Sequence, residues 1–310
     1  MVHHRPNFRF QKIFSPTVAA FLALVILSGG VSVAIRISYA ELPTFWGAAI
    51  RFGPAAIVLW GVVLIRRIPV PMGRALLVSL LFGVLSIGFG RSLMYWGLEE
   101  TPASLHQIIV SLTPLMTLFF ANLHGREKIV ARNLLSALLA CAGITIAFGG
   151  MSAGNLSMIH LFSLLIAAAC MAEGGVIMKG YTRINPIVIA AIATTVGTII
   201  IIALSLLNKE PWLLPSSPQM WWVMAYLTIG ASVIPLLLYL YILKRWPASA
   251  AIYPMVLMPF VTVLLATSLT DERVTWVFIL GGLLVVIAVW FGAIMVQPIH
   301  LSRKSGQMDH

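Results

Sequence analysis

Charge is what this chain lacks. Of 310 residues only 9% are charged, against 60% that are hydrophobic. A soluble domain carries about 25% charged residues. Twenty Lys and Arg and nine Asp and Glu cannot cover the surface of a water-soluble protein of this size. A soluble enzyme, a nucleic-acid-binding domain and a disordered chain are therefore excluded. Cysteine is scarce too. Cys141 and Cys170 both sit inside apolar runs, where they read as small core residues. No Cys/His cluster has metal-ligand spacing, so neither a metal nor a cofactor is expected.

What remains is a polytopic membrane protein with lipid as its solvent. The mean hydropathy of +0.99 agrees. Apolar runs of spanning length fall at about 17–37, 44–65, 73–93, 103–124, 131–150, 157–178, 186–207, 219–241, 248–269 and 275–296. They are uniformly apolar, which favours helices over the alternating strands of a barrel. The first run is too long for a signal peptide core and Arg36 interrupts its end, so it is expected to stay uncleaved.

The net charge of +11 has a topological reading. With ten spans both termini share one side. If that side is cytoplasmic, fifteen Lys and Arg fall in inner loops or tails and two in outer loops. Glu41, Glu99, Glu100, Glu210, Asp271 and Glu272 fall in the outer loops.

A shift of 145 residues aligns the chain with itself. Leu98-Glu-Glu-Thr-Pro-Ala-Ser104 lies over Leu243-Lys-Arg-Trp-Pro-Ala-Ser249, Pro114 over Pro259 and Glu127 over Glu272. From 98 to 130 there are nine identities in 33 positions. At the same shift Gly29-Gly30 lies over Gly174-Gly175, and Glu173 over Ser28. Five spans per unit is odd, so the second unit must be inserted upside down. The charges agree, since Glu99-Glu100 is replaced by Lys244-Arg245. The expected fold is thus an all-α polytopic membrane protein of ten helices in two inverted five-helix repeats. The first would be 15–150 and the second 155–297, with cytoplasmic tails at 1–14 and 298–310. Inverted repeats are the architecture of secondary transporters, with a substrate site near the midplane.

Ser28-Gly-Gly-Val-Ser-Val-Ala-Ile-Arg36, Leu42-Pro43 and Ala48-Ala-Ile-Arg51-Phe52 resemble the start of the drug/metabolite transporter superfamily, in its EamA-type ten-helix branch. The stretches from Ala103-Ser104 to Glu127 and from Ala248-Ser249 to Glu272 resemble that family's fourth and ninth helices. The resemblance implies two five-helix bundles around a central cavity, in a bacterial inner membrane, exporting small metabolites. Amino acids are frequent substrates of the family.

Charges deep in a span need a reason. Arg51 is about 12 Å into the second span. It reads either as a guanidinium fork for a substrate carboxylate or as a structural arginine. Glu173 is the one acid well inside a span. It reads as a proton-coupling carboxylate or ammonium anchor, or else as a partner of Arg51 or Lys179. Arg91 is expected near the outer end of its span, pairing with Glu99 or Glu100, with binding as the alternative. His106 reads as a helix-end histidine or a gate. Ser28, Ser111, Tyr239 and Tyr253 complete the cavity candidates. Pro114, Pro254, Pro259, Gly29 and Gly174 are the hinge candidates.

The expected function is a secondary active transporter that exports a small polar metabolite, an amino acid or derivative, by alternating access. Its partners would be that solute, the bilayer and protons as coupling ion, with no nucleic acid. A nucleotide-sugar, phosphorylated-metabolite or drug transporter of the same fold is the alternative, and a non-transporting sensor a further one. An enzyme is not expected, because no nucleophile and base meet at depth.

Overall fold

The computed structural model describes residues 15–101, 106, 109, 112–148, 157–181, 183–258, 260–261 and 276–291. Among these residues, six helices are long and apolar enough to cross a membrane. They are α1 (Pro16–Ser38, with a turn at Gly30), α2 (Thr44–Ile65), α3 (Arg74–Glu100), α6 (Met158–Lys179), α7 (Pro186–Leu207) and α8 (Pro218–Arg245). The other four expected runs hold shorter apolar helices: α4 (Thr113–Leu123), α5 (Ala131–Phe148), α9 (Ala248–Met258) and α10 (Trp276–Val289). Large apolar side chains such as Ile57, Leu64, Leu22 and Leu280 face outward. On a soluble protein they would be a liability, and in a bilayer they are the matching surface.

Local chemistry sets the helix ends. Ser15, Asn185 and Ser217 each accept a hydrogen bond from a first-turn backbone N–H of α1, α7 and α8, and each is followed by proline. Proline is pre-shaped for that position, where its missing N–H costs nothing. The helices α2 and α7 end alike. Arg67 and Lys209 take φ of 50° and 53°. Arg67 N donates to Leu64 O and Ile68 N to Val63 O, just as Lys209 N donates to Leu206 O and Glu210 N to Ser205 O. This double bond pattern satisfies the last carbonyls.

Two π-helical stretches interrupt the rods, Gly83–Phe89 inside α3 and Tyr226–Val233 inside α8. Each widens the helix and leaves irregular backbone bonding in mid-span.

Elements recur along the chain. Pro16 to Met158, Thr44 to Pro186 and Arg67 to Lys209 are each 142 residues apart. Arg74 to Pro218 is 144, and the two π stretches start 143 apart. The expected register of 145 therefore does not hold in the first two helices. At a spacing of 142, Gly29 and Gly30 would lie over Met171 and Ala172, three residues before Gly174 and Gly175. Insertion is absorbed by the 208–217 loop, longer than its counterpart 66–73.

Packing recurs as well. The rods α2 and α7 pack along each other, as do α5 and α10, while α3 packs on α6 and α1 on α8. Backbones approach closely where side chains vanish. A Cβ on Gly83 would lie 2.7 Å from Ala193 Cα, so only glycine fits there. Trp60 Nε1 donates to Thr195 Oγ1 at 2.8 Å, tying α2 to α7.

Polar clasps join the halves at both ends of the bundle. At one end the Glu41 carboxylate accepts from Ser216 and Ser217, Glu210 accepts from Phe45 N and Trp46 N at 3.0 and 2.7 Å, and Trp46 stacks on Trp212 at 4.6 Å. At the other, Glu127 accepts from Ala248 N and from the Ser249 hydroxyl. Close by, and within the second half, Lys179 Nζ donates to Leu243 O and Trp246 O, both at 2.6 Å. The Ser217 hydroxyl and then the Ser216 backbone N–H hold the Glu41 carboxyl down at about 2.

Candidate functional site

A cavity of about 1180 Å³, mouth included, lies in the middle of the bundle. Its walls come from α1, α2 and α3 with His106 on one side, and from α6, α7, α8 and α9 on the other. Both π stretches border it, through Ser86 and Ile87 and through Ala231 and Ser232. The walls are otherwise mostly Leu, Ile, Val, Phe and Met. An apolar cleft with a few convergent polar groups is the usual build of a small-molecule site.

Arg51 is the largest fully buried side chain, 1% exposed. Each of its nitrogens donates to the protein: Nε to Ser232 Oγ at 2.7 Å, Nη1 to Tyr95 Oη at 3.0 Å and Nη2 to Ala231 O at 2.8 Å. The last bond has a cause in the sequence. Pro235 has no N–H, so the Ala231 carbonyl four residues back lacks its α-helical donor. The guanidinium fills that gap from α2.

Arg91 differs. It lines the cavity just beyond the π stretch of α3. Its Nε is buried without a partner, and its Nη1 reaches only the Met94 sulfur, at 3.7 Å. The expected pairing with Glu99 or Glu100 is not what forms. Glu99 takes the Thr44 hydroxyl, and Glu100 faces His160 at 3.3 Å. His106 also lines the cavity, 4% exposed, with both ring nitrogens unpartnered. Ser86 Oγ is buried there without a partner as well. No carboxylate is among the described residues that line the cavity.

Several expected residues gather here: Arg51, Arg91, His106, Ser28, Tyr239 and Pro254 all line the cavity. Glu173 does not. It pairs with His124 at 2.7 Å, toward the end of the bundle where Glu127 and Lys179 lie, and it meets neither Arg51 nor Lys179. Tyr253 turns away too, its hydroxyl 2.7 Å from Ser136 Oγ, which in turn donates to Ala288 O. That chain of bonds ties α9 to α5 and α10. Pro114 falls in the first turn of α4, just after a turn at Leu112 that separates it from the helical residues His106 and Ile109. Gly29 makes room for Val261, and Gly174 for the Ser86 hydroxyl, so both serve close packing. Ser111 and Pro259 lie outside the described residues. Sequence reasoning missed Ser86, Ser232 and Pro235. Only Pro235, a proline in mid-span, carried a readable signal.

Apolar spanning helices around a central, partly polar cavity define an integral membrane protein built as a transporter. Comparison with known proteins agrees. The model of the EamA-like transporter family matches twice, at residues 15–149 and 158–293. The chain belongs to that family. It is 28% identical over 275 residues to the "uncharacterized inner membrane transporter YedA" of Escherichia coli strain K12, covering 86% of this chain and 87% of YedA. It is 25% identical over 252 residues to the "uncharacterized transporter sll0355" of Synechocystis, covering 72% and 73%. A solved structure named only "Crystal structure of protein" superposes with a TM-score of 0.73 at 16% identity, over 89% of this chain and 95% of the other. That likeness concerns the fold alone.

Proposed function

We propose that this chain is a secondary transporter that exports a small polar metabolite, by opening its central cavity alternately to the two sides of the membrane. The carrying observation is the cavity itself, walled by helices of both family repeats and holding buried polar groups without partners. The reading has ten crossings in two inverted units, 15–150 and 155–297, with tails 1–14 and 298–310 in the cytoplasm. Recurring helix starts, matching α2 and α7 termini and paired π stretches support the repeat. The arginine-rich loops 66–74 and 126–132 support a cytoplasmic face at that end.

The expectation of an amino acid substrate came from the family resemblance, with Arg51 for the carboxylate and Glu173 for the ammonium. Glu173 stands outside the cavity, so the solute's charge is taken up again below.

The test is access. In a variant with Cys141 and Cys170 replaced, Ser28→Cys would be labelled with a membrane-impermeant thiol reagent in sealed vesicles of each orientation. Alternating access requires labelling from both sides. Labelling from one side alone, with and without imposed ion gradients, would refute it. A reporter after Arg303 should score cytoplasmic, and one in the 208–218 loop external.

A further inference from the structure

We infer that the cavity selects a small organic monoanion, a carboxylate on an apolar body without an ammonium group, and that Arg91 with His106 and Ser86 forms its anion subsite. This rests on the cavity being the transport site. It departs from the amino acid reading in the sign and number of charges the site can accept.

Three observations carry it. First, the cavity wall holds two arginines and no carboxylate among the described residues. A buried cation in a membrane is costly without a counter-charge, and intramembrane ionisable residues pair or bind. Among the described residues neither Arg51 nor Arg91 has an acid to pair with, so the cavity they form carries uncompensated positive charge. An ammonium group entering it would meet repulsion and no acceptor of opposite sign.

Second, the two arginines are not equivalent. Arg51 gives one bond from each nitrogen to protein acceptors, with Ala231 O depending on it because of Pro235. It is held in place by the fold. Arg91 has only the thioether of Met94, and its Nε is orphaned. One available guanidinium forks onto one carboxylate. A phosphate dianion would call for a second cation, and the second is already committed.

Third, of the seven described residues with buried orphaned atoms, three border this cavity, while Ser92, Asn133, Glu173 and Ser205 lie off it. His106 Nδ1 and Nε2 and Ser86 Oγ border the same cavity as Arg91, buried and unpartnered. Buried polar groups in folded proteins are nearly always satisfied. Three unsatisfied side chains around one space indicate that a ligand's oxygens complete them. The remaining walls, with Phe52, Phe82, Met171 and Met258, suit an apolar body.

The experiment is direct binding to the purified full chain in nanodiscs, by calorimetry. The probes are isovalerate, hexanoate and phenylacetate, their matched amides and amines, leucine, phenylalanine and phenyl phosphate. At least one carboxylate should bind, with its amide, amine, amino acid and phosphate counterparts about tenfold weaker or more. Arg91→Gln should weaken that carboxylate about 10- to 100-fold, the range for one charged hydrogen-bonded contact, and leave amide binding unchanged. Arg91→Lys should retain part of the preference. Should Arg91→Gln fail to fold, Ser86→Ala and His106→Leu each remove one orphaned polar side chain and should each weaken the carboxylate several-fold. Binding of amino acids or amines as tight as carboxylates overturns the inference. So does the absence of binding by every carboxylate, or a preference untouched by all these variants. Two-sided labelling of Ser28→Cys without carboxylate preference would sink the anion subsite and leave the transporter reading standing. One-sided labelling with the preference intact would do the reverse.

Discussion

Replacing Arg51 separates a staple from a substrate anchor. In Arg51→Gln three bonds are lost or weakened, those to Ser232 Oγ, Tyr95 Oη and Ala231 O. Hydrogen bonds between membrane helices contribute about 0.6 kcal/mol on average and up to about 1.7. Three therefore total about 2–5 kcal/mol, and glutamine can restore at most one. The Ala231 carbonyl also loses this donor, and Pro235 supplies no α-helical one in its place. Loss of about 3–5 kcal/mol is expected, which at roughly 2–4 °C per kcal/mol lowers the melting temperature by about 10 °C. The assay is thermal unfolding of purified protein in detergent, repeated in a Pro235→Ala background. There the alanine N–H can bond Ala231 O, so Arg51→Gln should cost about 1 kcal/mol less. An unchanged melting temperature in Arg51→Gln, with ligand binding abolished, would refute the staple and make this arginine the anchor.

Glu41 gives a pH dependence. Its carboxyl titrates at about 2 in the folded protein against 4.5 unperturbed. The folded value is depressed, so its clasp to Ser216 and Ser217 stabilises fully above about pH 4.5 and is lost as pH falls toward 2. The melting difference between wild type and Glu41→Gln should shrink across that window, and a difference that grows would contradict the sign. Gly83→Ala drives a methyl into the Ala193 backbone and should destabilise by about 1–3 kcal/mol, while Gly61→Ala, with open space around it, should be neutral or slightly stabilising; thermal melts of the pair decide. Tyr253→Phe should cost about 0.5–1.5 kcal/mol through Ser136 and leave ligand affinity unchanged, since Tyr253 does not line the cavity; calorimetry with the tightest carboxylate checks it.

The spanning helices were legible because lipid imposes a simple rule: a continuous apolar run with few charges. All six long helices start within three residues of an expected run. The repeat was legible in outline, but its register was not. In apolar sequence the alphabet is small, so a register three residues off is hard to tell from the right one. The π stretches had no signature, since Gly83–Phe89 contains no proline and reads as ordinary span. At Arg51 the depth could be read, yet its partners lie 180 and 181 residues away on α8, beyond any local spacing rule. Arg91 was placed against Glu99 because both approach one end of a span. Eight helical residues are about 12 Å, too far for one side chain to bridge without leaving its own face of the helix. Glu173 was paired by proximity along the chain to Lys179, while its actual partner, His124, comes from the end of α4.

The two π stretches indicate how duplication served this cavity. Both interrupt a helix at corresponding places, and both turn irregular backbone toward the centre of the bundle. In α8 the interruption is closed: Pro235 frees a carbonyl, Arg51 takes it, and Ser232 donates to Leu227 O while accepting from Arg51. In α3 nothing described closes it. Ser86 stays unpartnered within the π stretch, and Arg91 lies one residue past the start of the helix that follows. Symmetric folding would have produced two closed breaks or two open ones. The asymmetry places a fixed cation on one wall and an available cation on the other. A cavity meant only to pack would have closed both. Keeping one open sacrifices stability, and a ligand's oxygens at Arg91 would return it.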